Sequence, residues 1–83
     1  MSTNITKIEK RFLVNTKRLI NGSHLSYEQA SEVTGVSAST LRRIAKAKRE
    51  GRTYSPMLKT AIRLADAANA SVDAYVTQPV FVQ

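Results

Sequence analysis

Cysteine is absent from the 83 residues, which excludes disulfides, thiolate metal sites and a thiol nucleophile. Histidine occurs once, at His24, with no acid pair near it, so it reads as an exposed loop residue and not as a metal ligand. No serine has a plausible base and third partner, and no glycine-rich phosphate loop is present. An enzyme reading therefore has no residues to carry it, and no cofactor or small-molecule ligand is expected. No apolar run approaches the ~18–20 residues of a membrane span. The opening Met1-Ser2-Thr3-Asn4 leads into Lys7, Glu9, Lys10 and Arg11 without the apolar centre of a signal peptide. The expected location is the cytoplasm, with no membrane partner. Tryptophan is missing, proline occurs twice and glycine three times, and no repeat or low-complexity stretch interrupts the chain. A single domain over 1–83 is expected, with a thin core, because a chain this short buries only about 60% of its unfolded surface.

Positive charge is in excess. Thirteen lysines and arginines face six acids, a net charge of +7 that attracts polyanions. The excess is local. Arg42, Arg43, Lys46, Lys48, Arg49 and Arg52 lie together, opposed in sequence only by Glu50. A second cluster, Lys7, Lys10, Arg11, Lys17 and Arg18, is opposed by Glu9. Beyond residue 55, Lys59 and Arg63 balance Asp66 and Asp73. Such a distribution favours a binding face over a general contribution to solubility.

The apolar spacing predicts five helices. Ile5, Ile8, Phe12, Leu19 and Ile20 recur at helical intervals between about Asn4 and Asn21, with Gly22 as the expected stop. Ser26-Tyr27-Glu28-Gln29 has the form of a capping box and opens a short helix to about Thr34, ended by Gly35. Ser37 is the next cap, before a helix from Ala38 to about Arg49 or Glu50. Ser55-Pro56 signals a fourth start, with Leu58, Ala61, Ile62, Ala65 and Ala68 as its apolar stripe and Asn69 replacing glycine at its end. Ser71 caps a fifth helix from Val72 to about Val76. The remaining tail, residues 77–83, is extended by composition, since Pro79 breaks a helix and Val80, Phe81 and Val82 favour strand.

Residues 26 to 46 carry the strongest pattern. Two short helices flank a tight turn, Thr34-Gly35-Val36-Ser37, in which glycine permits a positive φ. The small Ser31 allows the helices to approach, and Val36, Leu41 and Ile44 supply apolar contacts between them. That is the spacing of a DNA-binding helix-turn-helix, here spanning about 27–49. On the wheel of the second of these helices, Leu41, Ile44, Ala45 and Lys48 share one side, the Lys48 stem snorkelling to solvent. Ser39, Arg42, Arg43, Lys46 and Arg49 share the other, within an arc of roughly 120°. Solvated helices usually mix signs to form i,i+4 pairs. This face carries no acid, and Arg42 and Lys46 are like-charged at i,i+4, a small cost that an anionic ligand relieves.

Glu28-Gln29-Ala30-Ser31, Gly35-Val36-Ser37, Ser39-Thr40-Leu41-Arg42-Arg43-Ile44 and the stretch from Leu58 to Tyr75 together resemble the lambda-repressor-like family of Cro, phage-repressor and xenobiotic-response-element regulators. The resemblance covers residues 27 to 76. It implies an all-α, five-helix lambda-repressor-like DNA-binding domain with a short extended C-terminal tail. It implies base reading by Ala38, Ser39, Arg42 and Arg43, and phosphate contacts from Lys46, Arg49 and Arg52. Tyr27 stands where many relatives place a phosphate-binding glutamine; it either donates to a phosphate or packs. Ser31 replaces the usual alanine, and the third helix runs about one turn longer without an early glycine.

The function implied is that of a sequence-specific double-stranded-DNA-binding transcriptional regulator, a small Cro-like phage or prophage repressor binding a pseudo-palindromic operator as a homodimer. Val80, Phe81 and Val82 offer a strand that needs a partner, either the same tail of a second copy or the chain's own core as a folded-back plug. The alternative function is an antitoxin or other interaction protein whose DNA binding is autoregulatory. An RNA-binding module is disfavoured because the aromatics are few, and Phe12 and Tyr75 read as buried.

Overall fold

The computed structural model describes residues 4–52 and 54–80, with five helices in order: α1 (Asn4–Ser23), α2 (Tyr27–Thr34), α3 (Ala38–Arg49), α4 (Leu58–Ala67) and α5 (Val72–Thr77). The long α1 packs against α3 and α5, α2 packs against α3 and α4, and α4 closes on α5. The all-α, five-helix expectation holds.

Local chemistry places most of the boundaries. The Ser26 hydroxyl accepts from the Gln29 N–H at 3.1 Å, while the Gln29 side chain accepts from the Ser26 N–H at 3.0 Å, so both halves of the capping box form. Gly35 ends α2 in the left-handed region at φ 77°. Ser37 and Ser71 cap α3 and α5 by accepting from Thr40 and Ala74 N–H groups. Asn69 takes φ 58° after α4, as its glycine-like place in the sequence suggests.

Three expectations are corrected. First, α1 runs through Gly22 and ends at Ser23, whose hydroxyl donates to the Leu19 carbonyl at 2.8 Å; His24 takes the left-handed conformation at φ 56°. Histidine tolerates that region better than most side chains, so the helix does not need its glycine as the stop. Second, Ile5 and Ile8 are exposed, at 66% and 36%. The buried stripe is instead Phe12, Leu13, Asn15, Thr16, Leu19 and Ile20. Third, α4 starts at Leu58, two residues after Pro56, with no side-chain cap. Residues 54–57 stay outside any helix, and Tyr54 stacks on Phe12 at 6.3 Å between ring centroids. Leu64 then joins Ala61 and Ala65 in the core, leaving Leu58 and Ile62 exposed.

The core gathers Phe12, Leu19, Ile20, Leu41, Ile44, Leu64 and Tyr75. Tyr75 meets Phe12 edge-on at 5.7 Å. Val80, the first residue of the expected tail strand, is buried in this core, and its N–H donates to Asn15 Oδ1 at 3.1 Å. Its side chain and its backbone donor are thus both engaged within its own chain. Phe81 and Val82 lie outside the described residues. Among the described residues, no helix is long and apolar enough to cross a membrane.

Candidate nucleic-acid interface

The turn between α2 and α3 is fixed before any ligand arrives. The Gly35 N–H donates to the Ser31 carbonyl at 2.9 Å. The Thr34 hydroxyl donates to the Ala30 carbonyl at 2.7 Å and accepts from the Val36 N–H at 3.1 Å. Val36 is buried between the helices. From outside, Arg63 of α4 donates through Nη1 to the Gly35 carbonyl at 3.1 Å, which ties a third helix to the turn. Ser31 is half-buried at the approach of the two helices.

With the turn set, α3 buries Leu41, Ile44, Ala45 and Ala47. The other side presents Ser39, Arg42, Arg43, Lys46 and Arg49, all exposed, and Ala38 half-buried at the first turn. Lys48, placed by the wheel on the inner side, is exposed at the end of the helix, while Ala47 takes the inner place. The residues expected to read bases therefore share one end of one face, and Lys46 and Arg49 continue it. The Ser37 hydroxyl donates to Thr40 Oγ1 at 2.9 Å and lies 3.5 Å from the Ser39 hydroxyl. Arg52 follows the helix, with its Nε donating to Glu50 Oε1 at 2.7 Å.

Tyr27 is half-buried and packs against the core. Its ring lies beneath Arg42, the guanidinium carbon 5.4 Å from the ring centroid. Beside it, Glu28 accepts a hydrogen bond from Arg42 Nη2 and forms an ion pair with it. That hydrogen bond, then one from the Glu28 backbone N–H, and then the nearby guanidinium charge hold the Glu28 carboxyl below the usual carboxylate range. The α3 face is thus acid-free only along its own helix; the fold brings Glu28 to it from α2. Sequence reasoning gave Glu28 no role here, because fourteen residues separate it from Arg42. The remaining signal would be the helix-turn-helix geometry itself, which sets the start of α2 against the exposed side of α3.

The second basic cluster goes elsewhere. Lys7, Lys10 and Arg11 line a groove of 490 Å³ between α1 and α5, over Ile8, Val14 and Val76. None of its lining residues belongs to α2 or α3. No family model, curated protein or solved structure matches the chain.

Proposed function

We propose that the chain is a sequence-specific double-stranded-DNA-binding regulator of transcription, built on the lambda-repressor-like plan and acting as a small Cro-like repressor in the cytoplasm. The observation that carries this reading is the exposed face of α3, where Ser39, Arg42, Arg43, Lys46 and Arg49 stand on a helix braced from behind by a capped α2 and a locked turn. An α-helix fits the major groove of B-DNA, and arginine bonds bidentately to guanine O6 and N7. Ala38, Ser39, Arg42 and Arg43 would face base edges. Lys46 and Arg49 would neutralise phosphates, with Arg52 beyond them. One such helix reads only a few base pairs, so two copies on a pseudo-palindromic site, with half-sites one helical turn apart, form the proposed complex.

Selection from a random duplex pool at ~150 mM salt tests the proposal, because weak phosphate-only binding largely fails at that stringency. The expected outcome is an inverted repeat with half-site centres ~10 base pairs apart. Enrichment of a single half-site would overturn the paired complex alone. No enrichment, with binding only at low salt, would overturn sequence-specific recognition.

A further inference from the structure

Arg42 is held from two sides, and both partners come from the first turn of α2. Glu28 accepts from its Nη2, and the Tyr27 ring lies under its guanidinium carbon at 5.4 Å. Neither Arg42 nor Glu28 is withdrawn from solvent: their side chains are 53% and 68% exposed. We propose that Glu28 is a specificity-determining residue, which positions the Arg42 guanidinium for a guanine edge and disfavours its use on a phosphate. The inference rests on the reading of α3 as a major-groove helix.

The argument is one of donors, charge and freedom. A guanidinium carries five N–H donors in a rigid fork. Glu28 takes one, and whichever Nη2 proton it takes, an adjacent pair remains for a bidentate contact. A free arginine side chain loses rotamer entropy on being fixed, whereas one already held loses less on binding. The ion pair also has no net charge. A phosphate approaching Arg42 meets the Glu28 carboxylate beside it, so the pair gains little from backbone charge. A guanine edge presents two neutral acceptors, O6 and N7, and incurs no such repulsion. Arg43, by contrast, lies next along the same face with no acid in ion-pair reach among the described residues. It is free to serve either phosphate or base.

Tyr27 acts here through its ring, not its hydroxyl. The resemblance offers the hydroxyl for phosphate binding, and the two roles separate in one substitution: Tyr27→Phe keeps the ring and removes the donor.

The test is duplex selection with the wild-type chain and with Glu28→Gln, Arg42→Ala, Tyr27→Phe and the Glu28→Gln/Arg42→Ala double variant. Salt titrations on the selected site and on an unrelated duplex accompany it, and thermal melting confirms that each variant is folded. Glu28→Gln is expected to lose about ten-fold of guanine preference at one position per half-site, the position Arg42→Ala also loses. On the unrelated duplex it should bind more tightly, with a salt slope steeper by about 0.9 per copy. In the Arg42→Ala background the same change should leave base preference unaltered, and Tyr27→Phe should select the wild-type site. Unchanged preference in Glu28→Gln, or a loss at a position independent of Arg42, overturns the inference while DNA recognition stands. Loss of the site in Tyr27→Phe overturns the ring's part in it. A wild-type chain that enriches no sequence overturns the DNA reading, and this inference with it.

Discussion

Asn15 is fully buried, and its amide joins α1 to the far end of the chain. Nδ2 donates to the Tyr75 carbonyl at 2.6 Å and to the Gln78 carbonyl at 2.8 Å, while Oδ1 accepts from the Val80 N–H. Backbone groups from the last turn of α5 and the segment after it thus find their partners on a single side chain, as a buried backbone must. Next to it, the Thr16 and Tyr75 hydroxyls share a 2.8 Å hydrogen bond in the core. Burial pushes the Tyr75 phenol up to about 12, against a smaller opposing effect of the Thr16 hydrogen bond. The unfolded chain releases that proton near its ordinary value of about 10. Below pH 10 both states are neutral and the contribution of this group is complete. Between 10 and 12 the unfolded state ionises first and the folded state loses stability. At about 1.4 kcal/mol per pKa unit, the full loss is about 2–3 kcal/mol. Chemical denaturation at pH 9 and pH 11.5 should show this decline in the wild-type chain. Tyr75→Phe should start lower, with Thr16 left unpaired, and should decline less over the same interval; an equal decline would mean that Tyr75 does not carry the effect.

At the scale of elements, the α2–α3 turn depends on Gly35 for its backbone and not for its space. A Cβ placed there would meet the Arg63 side chain at 3.6 Å, an ordinary contact, so the φ of 77° alone sets the cost of a side chain. Gly35→Ala should therefore lower stability by about 1–2 kcal/mol, and Gly35→Asn by less, because asparagine visits the left-handed region more readily. Denaturant midpoints of the two variants check this; equal losses would mean that packing against Arg63 decides. The same turn was legible in the sequence because its parts are local: Ser26, Gln29, Gly35 and Ser37 act on neighbours three or four residues away. The exposed face of α3 was legible for the same reason, as a wheel of one helix. What the sequence concealed is non-local. Asn15 and Thr16 sit at core spacing but are polar, so apolar spacing alone extends the α1 stripe to Ile5 and Ile8 instead. The local cap signal at Ser55-Pro56 points to a start for α4 there, whereas the chain is also fixed by Tyr54 stacking on Phe12, more than forty residues away. Glu28 joined the interface only once α2 and α3 were folded against each other.

For the whole molecule, a net charge of +7 overstates what is available to a polyanion. Five cations were assigned to the α3 face and the loop after it, but Arg42 is paired with Glu28 and Arg52 with Glu50. Arg43, Lys46 and Arg49 have no such partner among the described residues. Each phosphate neutralised on duplex DNA contributes about 0.9 to the slope of log K against log salt. Three unpaired cations predict a slope of about −2.7 per bound copy on an unrelated duplex, against about −4.5 if all five reached phosphates. Lys7, Lys10 and Arg11 line a separate groove between α1 and α5 and should add nothing to this figure. Fluorescence anisotropy between 50 and 200 mM salt, roughly the range over which phosphate contacts dominate the change in affinity, measures the slope directly. Arg49→Ala should make it shallower by about 0.9, and Glu50→Gln, by releasing Arg52, should make it steeper by the same amount. A wild-type slope near −4.5 that Glu50→Gln leaves unchanged would mean that both ion pairs open on the DNA, so that phosphate outcompetes the protein's own carboxylates at this surface.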